Sequence, residues 1–408
     1  MKKELLEAYA KLIVRTGVNL QKGQYVVIRT DVSQEYMASL VAKECYEAGA
    51  KQVFVKFESA LVSKVDYLNA STETLSEVKS YEEEEQKFYV EKNPVLIWLD
   101  ADDPDGLTGI DAKKMATIRA NRFKVLGKYR EQRENKYQWV IVGVPSIKWA
   151  KKVFPTLSDE EAVEKLWEAI LTTARAIDGN GIENWNKHEE DLKKRCNYLN
   201  SLNLVELRYK STTGTDFKVG LIPGVIFLGG GEKTLDGTFF QPNIPSEECF
   251  TSPMRGKAEG IVFASKPLVY NGQLINNFNI RFHEGKAVEV HAETGEEVLK
   301  SILELDEGSA YLGECALVPF DSPINNTGIL FYNTLFDENA ACHLALGRGF
   351  TNLYPDFEKY SEEELHSFGI NKSLSHVDFM IGDKDLDITG ITSSGKEVAI
   401  FRKGAWAF

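Results

Sequence analysis

The chain has 408 residues, 43% of them hydrophobic, enough for two or three domains with packed cores rather than a disordered polymer. Its 61 acidic residues against 48 basic ones leave a net charge of -13, which sets nucleic acid aside as a partner. No apolar run approaches the roughly 18 residues of a membrane span, the charged stretch Met1 to Tyr9 has no signal-peptide character, and five widely spaced cysteines without a CxxC suit reduced thiols and a cytoplasmic location.

From the N-terminus the pattern alternates. Lys2 to Val14 carries apolar residues at helical spacing and stops near Gly17; Tyr25 to Ile28 reads as strand, Gln34 to Glu47 as helix and Val53 to Phe57 as strand. The acidic run Glu82 to Glu85 is a solvated helix face or loop and is assigned no function. Val95 to Leu99 (strand), Ala112 to Arg130 (helix), Trp139 to Val144 (strand) and Asp159 to Ile177 (helix) continue a βαβ rhythm, which predicts an N-terminal, doubly wound, mainly parallel α/β domain over residues 1–181. A polar helix within 182–203 connects it to the rest. Beyond it, Leu204 to Tyr209, Asp216 to Ile222, Gly260 to Tyr270, Asn279 to His283 and Ala287 to Ala292 read as strands joined by turns such as Asn271-Gly272 and Glu284-Gly285. The C-terminal domain, 204–408, is therefore expected to be mostly antiparallel β, with helices carrying a metal site.

That site is suggested by the distribution of scarce residues. Only six histidines occur, yet His343 closes a segment read as a helix start, Phe336-Asp337-Glu338-Asn339-Ala340-Ala341-Cys342-His343, and His376-Val377-Asp378 lies in a strand-like run. Positions two apart in a strand share a face, so His376 and Asp378 can address one ion, and imidazole with carboxylate suits zinc, cobalt or manganese. Glu247-Glu248 and Glu314 add carboxylates in the same half. Other chemistries fail on spacing: there is no HExxH, no GxGxxG after the first strand and no Gly-x-Ser-x-Gly. In Gly229-Gly230-Gly231-Glu232-Lys233-Thr234, Glu232 stands where a phosphate loop needs glycine.

Four segments in order, Asn243 to Pro253, Gly313 to Ile324, Phe336 to Gly347 and His376 to Gly382, resemble the thermophilic aminopeptidase family, the group of two-metal enzymes that includes the T, S and PepS aminopeptidases. The resemblance covers the whole chain and is most specific from Asn243 to Gly390. It implies two divalent ions per subunit (zinc, cobalt, or magnesium or manganese) on Glu248, Glu314, His343, His376 and Asp378, with Glu338 as a further ligand or proton shuttle and Glu314 as the other shuttle candidate. It implies peptide substrates cut at the N-terminus and a homodimer enclosing its active sites. Cys249, Cys315 and Cys342 are expected to pack behind the site. One position departs from the family: a tyrosine seven residues after His343 is replaced by Phe350, which leaves an oxyanion donor unassigned, with Tyr354 or Tyr360 as substitutes from the following loop. The alternative function is thus a weakly active or non-catalytic metal- or peptide-binding homologue. A nucleotide or sugar-phosphate module is a further rival, which the missing glycine fingerprints disfavour.

Overall fold

Valine- and isoleucine-rich segments with both faces buried are the signature of parallel strands covered by helices. In the computed structural model, which describes residues 1–270 and 273–408, such segments form the centre of a five-stranded parallel sheet whose edge strand Gln52–Glu58 is partly exposed. Its order is Gln52–Glu58, Tyr25–Asp31, Val95–Asp100, Trp139–Gly143 and Asn243–Ile244, the 2-1-3-4-5 arrangement of a doubly wound fold. Val26, Ile28, Ile97, Leu99, Val140 and Val142 are buried at its centre. The fifth strand, at only two residues, has no alternation by which it can be read from sequence. Glu82 to Glu85 lie on the helix Ser80–Lys92, and each meets a cation: Arg122, Lys128, Lys87 and Lys56 respectively.

By contact density the chain forms two compact units, Met1–His188 with Gly231–Pro245, and Glu189–Gly230 with Ser246–Phe408. A helix spans Gly181–Ser201.

The second unit holds a nine-stranded antiparallel sheet and a separate four-stranded one. Their apolar faces share one core, in which Phe278 of the larger sheet meets Phe379 of the smaller with ring centroids 5.9 Å apart. The stretch Gly260 to Tyr270, expected as one strand, is two: Pro253–Phe263 and Leu268–Tyr270. Pro267, which has no N–H to give to a ladder, lies in the break. The expected turn Asn271-Gly272 lies outside the described residues.

Candidate metal centre

The four-stranded sheet runs Cys249–Thr251, Leu312–Leu317, His343–Gly347 and His376–Met380, antiparallel throughout. Strand periodicity sorts its side chains. Cys315, Leu317, Leu344, Leu346, Val377 and Phe379 enter the shared core, so the alternate residues Glu314, His343, Ala345, His376 and Asp378 occupy the opposite face. Here the helical reading of His343 is corrected: the helix Thr334–Asp337 and the short turn Glu338–Ala340 end before it, and His343 opens a strand. The candidate ligands therefore stand mainly on strands rather than helices, because a sheet held by backbone ladders spaces them across neighbouring strands.

Register completes the arrangement. Glu314 pairs with Ala345 and Ala345 with Asp378, so a small methyl separates two carboxylates in one cross-strand row. Glu314 reaches that face through a bulge at Gly313: Leu312 opposes Leu346 while Glu314 opposes Ala345, its next neighbour. Without the extra residue Glu314 would share the core face with Leu312. A Cβ at Gly313 would overlap the carbonyl of Arg348. Gly313→Ala is accordingly expected to lower unfolding stability by about 2 kcal/mol or more and to weaken metal retention, as checked by urea denaturation and by elemental analysis after dialysis.

Both imidazoles are held from behind. Nδ1 of His376 lies 2.8 Å from the Arg348 carbonyl and Nδ1 of His343 lies 3.3 Å from that of Ala341. This places the proton on Nδ1 and turns Nε2 forward, the orientation that metal-ligating histidines need. Nε2 of His343 is 3.1 Å from Glu248, and Nε2 of His376 is 3.1 Å from Glu314 and 3.2 Å from Asp378. Two groups of ligand atoms result, Glu248-Glu314-His343 and Glu314-His376-Asp378, each within 4.8 Å, and Glu314 belongs to both.

The electrostatics call for a cation. Burial, with Glu248 and Asp378 nearby, pushes Glu314 up to about 7 even though His376 pulls it down. Burial opposes a charge on His343, yet Glu248 first and Glu314 and Asp378 after it raise it to about 10. Burial would raise Asp378 too, but the His376 imidazole outweighs it and holds that carboxyl below its usual range. The site thus draws positive charge onto its imidazoles to balance its carboxylates. Asp378 Oδ1 is enclosed and makes no aligned hydrogen bond. A buried carboxylate oxygen that lies 3.2 Å from His376 Nε2 without an aligned hydrogen bond, among hard oxygen and imidazole donors, fits a divalent ion.

A search of known families matches this chain over residues 2–406 to the family described as thermophilic metalloprotease (M29). The chain belongs to that family. It is 42% identical over 404 residues to aminopeptidase AmpS of Bacillus subtilis, covering 99% of this chain and 98% of that one. It is 37% identical to aminopeptidase T of Thermus thermophilus, again over 99% and 98% of the two chains. The solved structure of wild-type AmpT from Thermus thermophilus superposes with a TM-score of 0.90 at 36% identity, covering all of both chains. The predicted fold class, an α/β parallel-sheet domain with an antiparallel β domain, therefore stands. Membership in a metalloprotease family makes this a hydrolase that requires a divalent metal.

The remaining residues of this metalloprotease site fall as follows. Glu338 belongs to neither ligand group, but it senses Asp378, Glu248, His343 and Glu314, and burial with those carboxylates holds it well above the usual range. Glu247, the less favoured of the adjacent pair, is likewise outside both groups. Phe350 is at the edge, its ring centroid 5.1 Å from that of His376, with its backbone N–H donating to Ser252 Oγ at 2.8 Å. Tyr354 is not brought to the histidines; it packs with Leu365, Ile370 and Phe368 in a satellite cluster, and Tyr360 leans on the same rings. Cys249, Cys315 and Cys342 are buried free thiols in the shared core. Sequence reasoning assigned no role to Asn339, whose Oδ1 accepts the Glu247 N–H at 2.7 Å while its Nδ2 reaches Glu338 at 3.3 Å. It ties the Glu248 loop to the Glu338 turn. An asparagine directly after the candidate Glu338 was the available signal.

Proposed function

We propose that this chain is an aminopeptidase that removes N-terminal residues from short peptides, using two divalent ions of zinc, cobalt, magnesium or manganese. The observation carrying this reading is Glu314, common to two otherwise separate ligand groups, since paired ions need one shared carboxylate. Relatives named as aminopeptidases, matched over 99% of this chain, support it. When bound, such ions supply Lewis acidity for the water and the scissile carbonyl.

The chain's own residues do the rest. Glu248 and His343 hold one position and His376 and Asp378 the other, with Glu314 between. Glu338, kept outside the ligand groups, takes the proton of the attacking water as a carboxylate and returns it to the leaving amine; burial and the neighbouring carboxylates, which raise its affinity for a proton, favour the first transfer. The free α-amine of the substrate is held at the site, as a ligand or against a carboxylate, which restricts cleavage to chain ends. A homodimer that limits entry to short peptides and a cytoplasmic location complete the proposal; the first rests on the family resemblance, the second on five free, buried cysteines. No helix among the described residues is long and apolar enough to cross a membrane.

Purified protein supplied with zinc or cobalt is expected to release p-nitroaniline from aminoacyl-p-nitroanilides and to leave N-acetylated peptides intact. A chelator should lower the rate at least about 100-fold, about 2.7 kcal/mol in barrier terms. Activity that persists after chelation would rule out the metal role. The second reading, a weakly active or non-catalytic homologue, is favoured by one observation, the phenylalanine at position 350 beside His376.

A further inference from the structure

His376 is aimed by the carbonyl of Arg348, which lies 2.8 Å from its Nδ1, and a carbonyl is only as fixed as the peptide plane that carries it. We infer that Asn371, which belongs to neither ligand group, is the positioning residue for this carbonyl and, through it, for His376. The inference rests on the reading of His376 as a metal ligand and extends that reading from the donors to what holds them in place.

A trans peptide unit is a rigid plane whose C=O and N–H point in opposite directions, so one partner at each end fixes it. Both units that flank the α-carbon of Arg348 are held in this manner, and Asn371 supplies one partner to each. In the unit joining residues 348 and 349, the carbonyl faces His376 Nδ1 and the Gly349 N–H donates to the Asn371 carbonyl at 2.9 Å. In the unit joining 347 and 348, the Arg348 N–H donates to the Ser375 carbonyl at 2.7 Å and the Gly347 carbonyl accepts from Asn371 Nδ2 at 2.6 Å. The same Nδ2 gives its second proton to the Gly308 carbonyl at 2.9 Å, which anchors the amide outside the four-stranded sheet. Asn371 is wholly buried, at 0% exposure. Two acceptor carbonyls decide which end of the amide is the nitrogen, and no other side chain of this length carries two donors on one neutral atom. Its enclosed Oδ1 has no hydrogen-bond partner among the described residues. Burying that oxygen is unfavourable by itself, so what the residue contributes lies in the carbonyls it holds. Rotating the Arg348 carbonyl away from His376 would break the bond from Gly349, and with the imidazole freed, Nε2 would lose its fixed direction toward Glu314 and Asp378.

Asn371→Ala removes the clamp, and Asn371→Asp keeps its shape but exchanges the two-donor nitrogen for an oxygen. Cobalt is titrated into the metal-free full-length protein by calorimetry, well below its melting temperature. In each variant one of two cobalt equivalents is expected to bind about 10- to 100-fold more weakly and the other to change by less than about threefold. His376→Ala supplies the control: made in that background, Asn371→Ala should weaken cobalt binding by less than about threefold further, because its effect runs through the missing imidazole. Equal weakening of both equivalents, an affinity that does not move, or the full loss repeated without His376 overturns the assignment. Loss of cooperative melting in both variants overturns it as well, since Asn371 then serves the fold alone. A parent that takes up a single equivalent refutes the two-ion reading instead, and the role of Asn371 stands if that one affinity falls and the fall disappears without His376. A parent that binds no cobalt overturns both. None of these readouts needs hydrolysis, so failure of the aminopeptidase reading leaves the test of Asn371 intact.

Discussion

Glu314→Gln is expected to lower kcat/KM at least about 1000-fold, roughly 4 kcal/mol of transition-state stabilisation, and to deplete both metal positions together. The reason is topological. Glu314 is the one residue found in both ligand groups, so its loss weakens two sites, whereas Glu248→Gln or Asp378→Asn touches one each. Elemental analysis of the three variants separates the cases: retention of a full metal complement by Glu314→Gln would show that it does not bridge. Loss of fold is a poor explanation for the expected effect. Burial and the neighbouring Glu248 and Asp378 push the Glu314 carboxyl up to about 7, so its ionised form sits unfavourably at neutral pH, and the glutamine carbonyl can still accept from His376, 3.1 Å away. In the presence of chelator the variant should melt no lower than the parent.

Phe350→Tyr is expected to raise kcat by about 10- to 100-fold with little change in KM. One preorganised donor aimed at a developing oxyanion contributes about 3 kcal/mol, and position 350 is suitable for supplying it: the ring lies against the His376 imidazole and its backbone is pinned through the N–H donated to Ser252. Tyr354 and Tyr360, the substitutes considered from sequence, are occupied with Phe368. Steady-state kinetics on one aminoacyl-p-nitroanilide decides the matter. A gain identifies an enzyme working without its oxyanion partner. Equal rates in both forms remove position 350 from the mechanism, and the absence of turnover in either favours the binding-protein reading.

The elements with long periodic patterns were legible because burial of one face leaves a regular trace along the chain. The helices at Lys3–Leu12, Glu35–Glu47 and Asp159–Thr173 and the first four strands of the parallel sheet in chain order lie within a few residues of their predicted bounds, whereas the two-residue fifth strand was not predicted. The chemical types of the candidate ligands were legible too, since carboxylates and scarce histidines declare themselves by identity. What the sequence by itself determined, then, was the α/β and antiparallel architecture and the family, and it supplied the candidate donors. It did not determine how those donors meet. His343 was read as helical because the residues before it do turn, and nothing local marks Ala341 as the point where the chain straightens. The facing of Glu314 depends on the Gly313 bulge, whose effect exists only against the partner strand His343–Gly347. The position shared by two ligand groups and the methyl of Ala345 between two carboxylates are likewise properties of register between strands far apart in the chain. Register is set by the packing of the opposite face into the common core, where a one-residue slip would turn Leu344, Leu346 and Phe379 out of it. That is a tertiary decision, and it is what turns a list of ligands into a site.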